Sequence, residues 1–126
     1  MATTAITCTV VQSKTALRPG RCCAEYSLLL PSSWTAAGVD LDLSTAANGS
    51  FDTITSYRFG PGDAVTDFGD VFDLIGTAAT AGDGITASTC KVVAHRSTGS
   101  AAALVATPDT TDLSGITVLK LYVEGH

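Results

Sequence analysis

Between Pro31 and Pro61 the chain reads PSSWTAAGVDLDLSTAANGSFDTITSYRFGP, a stretch that alternates apolar and polar residues twice around a turn. Val39, Leu41 and Leu43 alternate with Asp40 and Asp42, which is the pattern of a short half-buried strand. Asn48-Gly49 supplies residues that tolerate positive φ. From Phe51 the odd positions Phe51, Thr53, Thr55, Tyr57 and Phe59 are expected to face one way, with Asp52, Ser56 and Arg58 facing the other. Gly60-Pro61-Gly62 ends the run, because proline has no N–H to give to a ladder. With Trp34, the only tryptophan, alongside, this strand–turn–strand is the expected nucleus of a β-sheet core.

The flanking segments repeat the pattern. Ile6, Cys8 and Val10 alternate with Thr7 and Thr9 and predict a strand behind a small uncharged start. Residues 13–21, SKTALRPGR, read as a turn or exposed loop around Pro19-Gly20. Cys22, Ala24, Tyr26, Leu28 and Leu30 share one strand face, with Glu25 and Ser27 on the other, and Pro31 closes the run. Residues 63–75 carry aspartates at helical spacing, but their mutual repulsion and Gly69 favour a loop leading into a strand at Val71–Ile75. Thr77 to Gly84 is loop material, Ile85 to His95 one strand, Ser97 to Ser100 a turn into a strand over Ala101–Thr107, and Pro108 to Asp112 a second turn. Thr117 to Val123 ends the set, with Leu119, Leu121 and Val123 on one face. The reading is an all-β single domain, an antiparallel β-sandwich of about seven or eight strands, with residues 1–12 as an N-terminal arm and first strand and 13–126 as the sandwich.

A chain of 126 residues and this mass exposes roughly 6,300 Å² when folded and about three times that when unfolded, which is enough for a core without staples. Charged residues make up only 15%, against a typical share of about 25%. Bare strand edges are normally blunted by lysine, and interfaces are depleted in it. With three lysines (Lys14, Lys91 and Lys120), the chain is expected to have much of its surface covered by a partner. A net charge of −5 argues against nucleic acid. No apolar run is long enough to span a bilayer, and the start lacks the basic and apolar regions of a signal peptide.

Four cysteines, Cys8, Cys22, Cys23 and Cys90, show no CxxC spacing, and adjacent Cys22 and Cys23 point to opposite strand faces, so no zinc site is expected. Free thiols in a reducing cytoplasm are the default, with a disulfide from Cys8 to Cys22 or Cys23 left open. No GxSxG, HExxH, P-loop or dinucleotide fingerprint is present, and His95 stands without a catalytic motif. Asp40-x-Asp42 and the Asp63–Asp73 series are acidic enough for calcium, yet neither matches the twelve-residue loop, and turn caps or solvated faces are the plainer reading. Trp34 with Tyr57 is either a sugar-stacking platform or core. The expectation is therefore no enzyme, no metal and no cofactor.

The segments CKVVAHRSTG from Cys90, ATPDTTDLSGI from Ala106 and YVEGH from Tyr122, together with LPSSWTAAG from Leu30 and the passage from Asp42-Leu43-Ser44 to Phe51-Asp52-Thr53-Ile54, resemble small virion proteins of tailed bacteriophages over about residues 30–126. That resemblance implies a capsid decoration (cement) protein, a jelly-roll-like sandwich made in the host cytoplasm and carried on the capsid exterior. The implied partners are the major capsid protein and further copies of the chain, as homotrimer or homodimer. Residues 2–12 are the expected docking arm. The candidate contact residues are Thr3, Thr4, Ile6, Thr7, Arg18, Arg21, Trp34 and Tyr57. A carbohydrate-binding module and a tail or spike component are the alternatives.

Overall fold

The computed structural model describes residues 2–60, 71–76, 84–97, 104–116 and 119–126, and these build nine antiparallel strands and a single turn of 3-10 helix. The strands are β1 (Thr7–Arg18), β2 (Arg21–Leu29), β3 (Val39–Asp40), β4 (Thr53–Gly60), β5 (Val71–Ile75), β6 (Ile85–Thr86), β7 (Lys91–Ser97), β8 (Leu104–Ala106) and β9 (Leu119–Gly125). One sheet has the order β1-β2-β9-β4-β6. The other runs β3-β7-β5, with β8 also paired to β7. From β2 onward the chain changes sheet at each step as far as β7. Such a path makes an antiparallel sandwich, and the N-terminal β1 is added at the edge of the larger sheet.

Alternation explains why these faces meet. Ala24, Tyr26 and Leu28 of β2 and Leu119, Leu121 and Val123 of β9 are all buried on the inner side of the five-stranded sheet. Leu74 of β5 and Val92 and Ala94 of β7 meet them from the other sheet. Each fully buried side chain of this size contributes about 1.5–3 kcal/mol. Trp34, Leu41, Leu43, Phe51 and Leu113, from the connections, fill the ends of the sandwich. At one end two connections pair like strands: the Trp34 N–H donates to Thr111 O, the Thr110 N–H to Trp34 O and the Leu113 N–H to Pro31 O.

Several expectations change in detail. Residues 13–18 are not a loop. They continue β1 as far as Arg18, and only Pro19-Gly20 turn, with Gly20 at φ 75°. This second part of β1 is exposed on both faces except at Lys14, so no alternation is written into its sequence. The stretch Ile85–His95 is two strands in different sheets, divided by a turn at Ala87–Cys90. Ala87, Cys90, Val92 and Ala94 enter the core cluster, and Val93 is buried beside them at 7% exposure. Only Val39–Asp40 of the first alternating run lies in a ladder, although Leu41 and Leu43 continue it through bonds from their N–H groups to Cys90 O and Ala87 O. In β4 a register shift between Ile54 and Ser56 interrupts the alternation, and the sequence neighbours Thr53 and Ile54 are both buried. The proposed loop at 77–83 and the turn at 98–100 lie outside the described residues.

That bulge brings two backbones unusually close. A Cβ on Gly125 would lie 2.0 Å from Thr53 O, and one on Gly84 would lie 2.1 Å from Ile54 O. The chain end is locked to the same place, with the Asp52 and Thr53 N–H groups donating to His126 O and the His126 N–H to Thr53 O. Gly125→Ala must push β9 off β4 and is expected to cost about 2–3 kcal/mol in thermal or denaturant unfolding. Gly115→Ala, with open space around its Cβ, is expected to change stability little by the same measurement. Equal effects at the two sites would show that the β4–β9 contact is looser than these distances require.

Candidate functional site

The candidate contact residues fall into three groups rather than one patch. Thr3 is tied to the connection after β2: its N–H donates to Ser32 Oγ at 2.9 Å, its Oγ1 accepts from the Ser32 N–H at 2.9 Å, and its carbonyl accepts from the Ser33 N–H at 3.0 Å. The expected arm is thus folded back on its own domain at its tip. Thr4 is exposed between two shallow hollows of about 310 and 360 Å³, both lined by Thr4 and Ala5. Ile6 is half-buried against the edge of the core, and Thr7 opens β1 opposite Leu29. These residues form the first group.

Arg18 and Arg21 flank the hairpin turn at the far end of β1, roughly 35 Å from Thr7 at strand rise. Arg21 Nη1 donates to Thr55 Oγ1, which in turn donates to Glu124 O at 3.2 Å, so Arg21 braces β2 against β4 across the end of β9. Arg18 is exposed with no ion pair or hydrogen bond among the described residues. Lys14, also on β1, lies over the Phe51 ring at 4.8 Å and donates to Ser50 O at 3.3 Å.

Tyr57, third in place, sits on β4 with 37% of its surface exposed, and its hydroxyl donates to the Asp73 carboxylate of β5. Burial, then the bond to Asp73, pushes its hydroxyl above the ordinary tyrosine value. Phe59 and Phe72 continue the row at 6.1 and 6.2 Å between centroids, closing the sandwich at this side. Trp34 does not join it. At 1% exposure the indole presents no face to a partner or a sugar, and it is corrected here to a core residue. Its Nε1–H has no hydrogen-bond partner among the described residues.

Among the described residues no three His, Cys, Asp or Glu side chains gather as a metal site, and no helix is long and apolar enough to cross a membrane. All four cysteines are thiols. Burial pushes Cys8 and Cys90 up to about 11, which keeps both neutral near pH 7. Cys90 Sγ donates to Leu41 O at 2.7 Å and belongs to the core. Inspection of the periodic pattern alone passed over the exposed apolar residues of β1, Val10, Val11 and Leu17, and those of β5, Val71 and Ile75. For Val11, Leu17, Val71 and Ile75 the available signal was their setting in runs without clean alternation, whereas Val10 ends the alternating run from Ile6.

Two of the described aspartates, Asp42 and Asp112, act as turn brackets. Asp42 Oδ1 accepts both the Ser44 N–H at 2.8 Å and the Ser44 hydroxyl at 2.5 Å, and Asp112 Oδ1 accepts the same two donors from Ser114 at 2.9 and 2.5 Å. The tripeptide Asp-Leu-Ser thus makes one device twice, each time sending a fully buried leucine, Leu43 or Leu113, into the core. Both carboxyls are held below the ordinary aspartate value, chiefly by the serine hydroxyl and then by its N–H. Their stabilisation is therefore complete above the unfolded aspartate pKa of about 4 and is lost as pH falls through the lower folded value. The double variant Asp42→Asn/Asp112→Asn should melt below the wild type at pH 7, with the gap closing near pH 2. A gap that persists undiminished in acid would mean that the charges contribute nothing.

Comparison of the chain with protein-family models, with curated proteins and with solved structures finds no match.

Proposed function

We propose that this chain is a structural virion protein that binds the outer surface of a bacteriophage capsid and bridges its major capsid subunits. The observation that supports it best is the first part of β1. Thr7 to Val10 pair with Leu29 to Tyr26 in unbroken register, carry no charge, and leave the outer edge of the strand without a partner strand among the described residues. Lone sheets normally protect such an edge with lysine, proline or bulges. An uncharged flat edge is instead a template for an added strand, in which backbone bonds supply affinity and alternate side chains supply fit. Beside it, the Thr3–Ile6 segment on the Ser32-Ser33 connection widens the surface with small polar groups.

Capsid cementing suits weak contacts made many times, since linking the copies through a shell raises their avidity without new contacts. It also suits a low density of charge, because few ions have to be desolvated on docking. The resemblance of residues 30–126 to small virion proteins supports the same reading from a different part of the chain.

The direct test uses heads and tails purified from the phage that carries this coding sequence. The chain should be found with heads by mass spectrometry, should sediment with heads stripped of it and remixed, and should appear on the outer shell by electron cryomicroscopy. Deleting residues 2–6, or placing a charge on the flat edge with Thr9→Lys, should weaken head binding at least about tenfold while leaving a folded domain. A chain found with tails alone, or one that never binds heads, ends the proposal and favours a tail component.

A further inference from the structure

The flat first part of β1 and the residue before it read Ile6-Thr7-Cys8-Thr9-Val10. In residue class this run is the same in both directions: aliphatic, threonine, cysteine, threonine, aliphatic. Pairing with β2 sorts it onto two sides of the sheet, because directly opposite residues share a face. Cys8 stands opposite Leu28 and Val10 opposite Tyr26, on the core side. Thr7 stands opposite Leu29 and Thr9 opposite Ser27, on the outer side. Ile6 and Cys8 are half-buried against the edge of the core and Val10 is 37% exposed, so the apolar layer of the sandwich runs out to this edge and stays open there.

The flat run has two limits. The chain bends at Ala5, and the register on β2 shifts between Val10 and Gln12. Its middle residue is therefore Cys8. No acid or base lies among residues 6–10 or among Tyr26–Leu29 opposite them. The nearest acid on β2, Glu25, stands opposite Gln12 beyond the shift. The hairpin cations are farther along, with Lys14 held on the Phe51 ring and Ser50 O, Arg21 on Thr55, and Arg18 beside the turn.

From these observations we infer that the strand added to this edge is the same strand of a second copy, antiparallel, with a two-fold axis through Cys8. In that register Thr7 faces the partner's Thr9 on the outer side and Ile6 faces the partner's Val10 on the core side, and each pair occurs twice. Cross-strand pairs of threonines and of β-branched apolar residues are stabilising kinds. The two Cys8 side chains meet at the axis as small apolar groups. An axis at Thr9 instead would set Thr7 against Val11 and carry Ile6 to Gln12, past the register shift. With the axis at Cys8 the two Lys14 lie about 40 Å apart at strand rise, far beyond the screening length of about 10 Å at 0.1 M salt, so like charges do not oppose the contact. The two five-stranded sheets become one continuous sheet. The inference rests on the reading of this edge given above and names its occupant. A chain that binds heads but is monomeric in solution would overturn it and leave the capsid reading standing, and a dimer that ignores heads would do the reverse.

Sedimentation of the pure protein at concentrations up to about 1 mM should show a monomer–dimer equilibrium whose dissociation constant changes less than about twofold as salt rises from about 20 to 500 mM. Thr9→Lys, at an exposed outer position, brings two ammonium groups beside the axis and should weaken dimerisation at least about tenfold. Thr15→Lys, beyond the register shift, should leave it unchanged. Cross-linking then reads the register in chains that also carry Cys8→Ala. Under mild oxidation a mixture of Thr7→Cys and Thr9→Cys chains should form mixed disulfide dimers at least about tenfold faster than either variant links to itself. The double variant Thr7→Cys/Thr9→Cys should close two disulfides within one dimer, which requires a two-fold contact. Melting curves establish that each variant is folded. A wild type that stays monomeric throughout overturns the inference. So does a dimer indifferent to Thr9→Lys in the folded protein, and so does linkage of Thr7→Cys or Thr9→Cys chains to themselves in place of each other.

Discussion

Strand β2 is the element on which both halves of the molecule depend. Its inner face, Ala24, Tyr26 and Leu28, is at most 1% exposed and forms the floor of the core. Through its edges it pairs with β9 on one side and β1 on the other. Among the described residues β1 packs chiefly on β2, with a smaller contact to the short turn of helix at Ala46–Asn48, so the hairpin rests mainly on that ladder. Tyr26 shows how strictly the floor is specified. Its ring is fully buried, yet its hydroxyl reaches Asn48 O, and burial pushes that hydroxyl far above its ordinary value. A polar tip fixed in this way allows only one depth for the ring.

The chain completes this floor last. β9 lies between β2 and β4, and it comes from the final residues of the sequence. The central strand of the larger sheet must therefore be inserted between partners that precede it by some 65 to 100 residues. Loop closure at such separations is costly before contacts repay it, which makes this topology slow by nature. The close approaches of Gly84 and Gly125 to β4 follow from the same requirement: the bulge at Ile54–Ser56 leaves no room for a Cβ on either neighbour.

Much of the fold was legible because burial on one face writes period two into a strand. β9 alternates cleanly and β2 does so from Ala24 onward, with the buried residues on the faces read from sequence; only at Cys22-Cys23 does burial depart from the pattern. Where neither face is buried, as along most of β1, no pattern is written, and polar residues with a Pro-Gly turn resemble a loop. Where a strand crosses from one sheet to the other the pattern breaks differently. Ala87 and Cys90 are both core although three apart, because a turn separates Ile85–Thr86 from Lys91–Ser97. Trp34 illustrates a third limit. A lone aromatic in a connection gives no sequence signal for whether it caps a core or meets solvent, and here the pairing of its backbone with Thr110 and Thr111 settles that it caps. The grouping of the candidate contacts was equally invisible, since Thr3, Arg18 and Tyr57 are separated by strand length and sheet order rather than by spacing in the chain.

Topology also turns an order along the sequence into an order in space. A chain whose cations come first and whose aspartates cluster later would mix them if early and late strands paired directly. In this sandwich the first strand is placed at one end of the larger sheet, with β2 and β9 between it and β4. Those two intervening strands carry Glu25, Lys120 and Glu124 with Tyr122 among their outward residues, and Arg58 of β4 lies 5.1 Å over the Tyr122 ring. Charges of both signs are thus interspersed in the middle of the larger sheet. The first strand, by contrast, carries only cations, Lys14 and Arg18, and Lys14 is drawn onto the Phe51 ring. Which charges stand together is accordingly set less by their order in the sequence than by where the chain path puts the ends of its sheets.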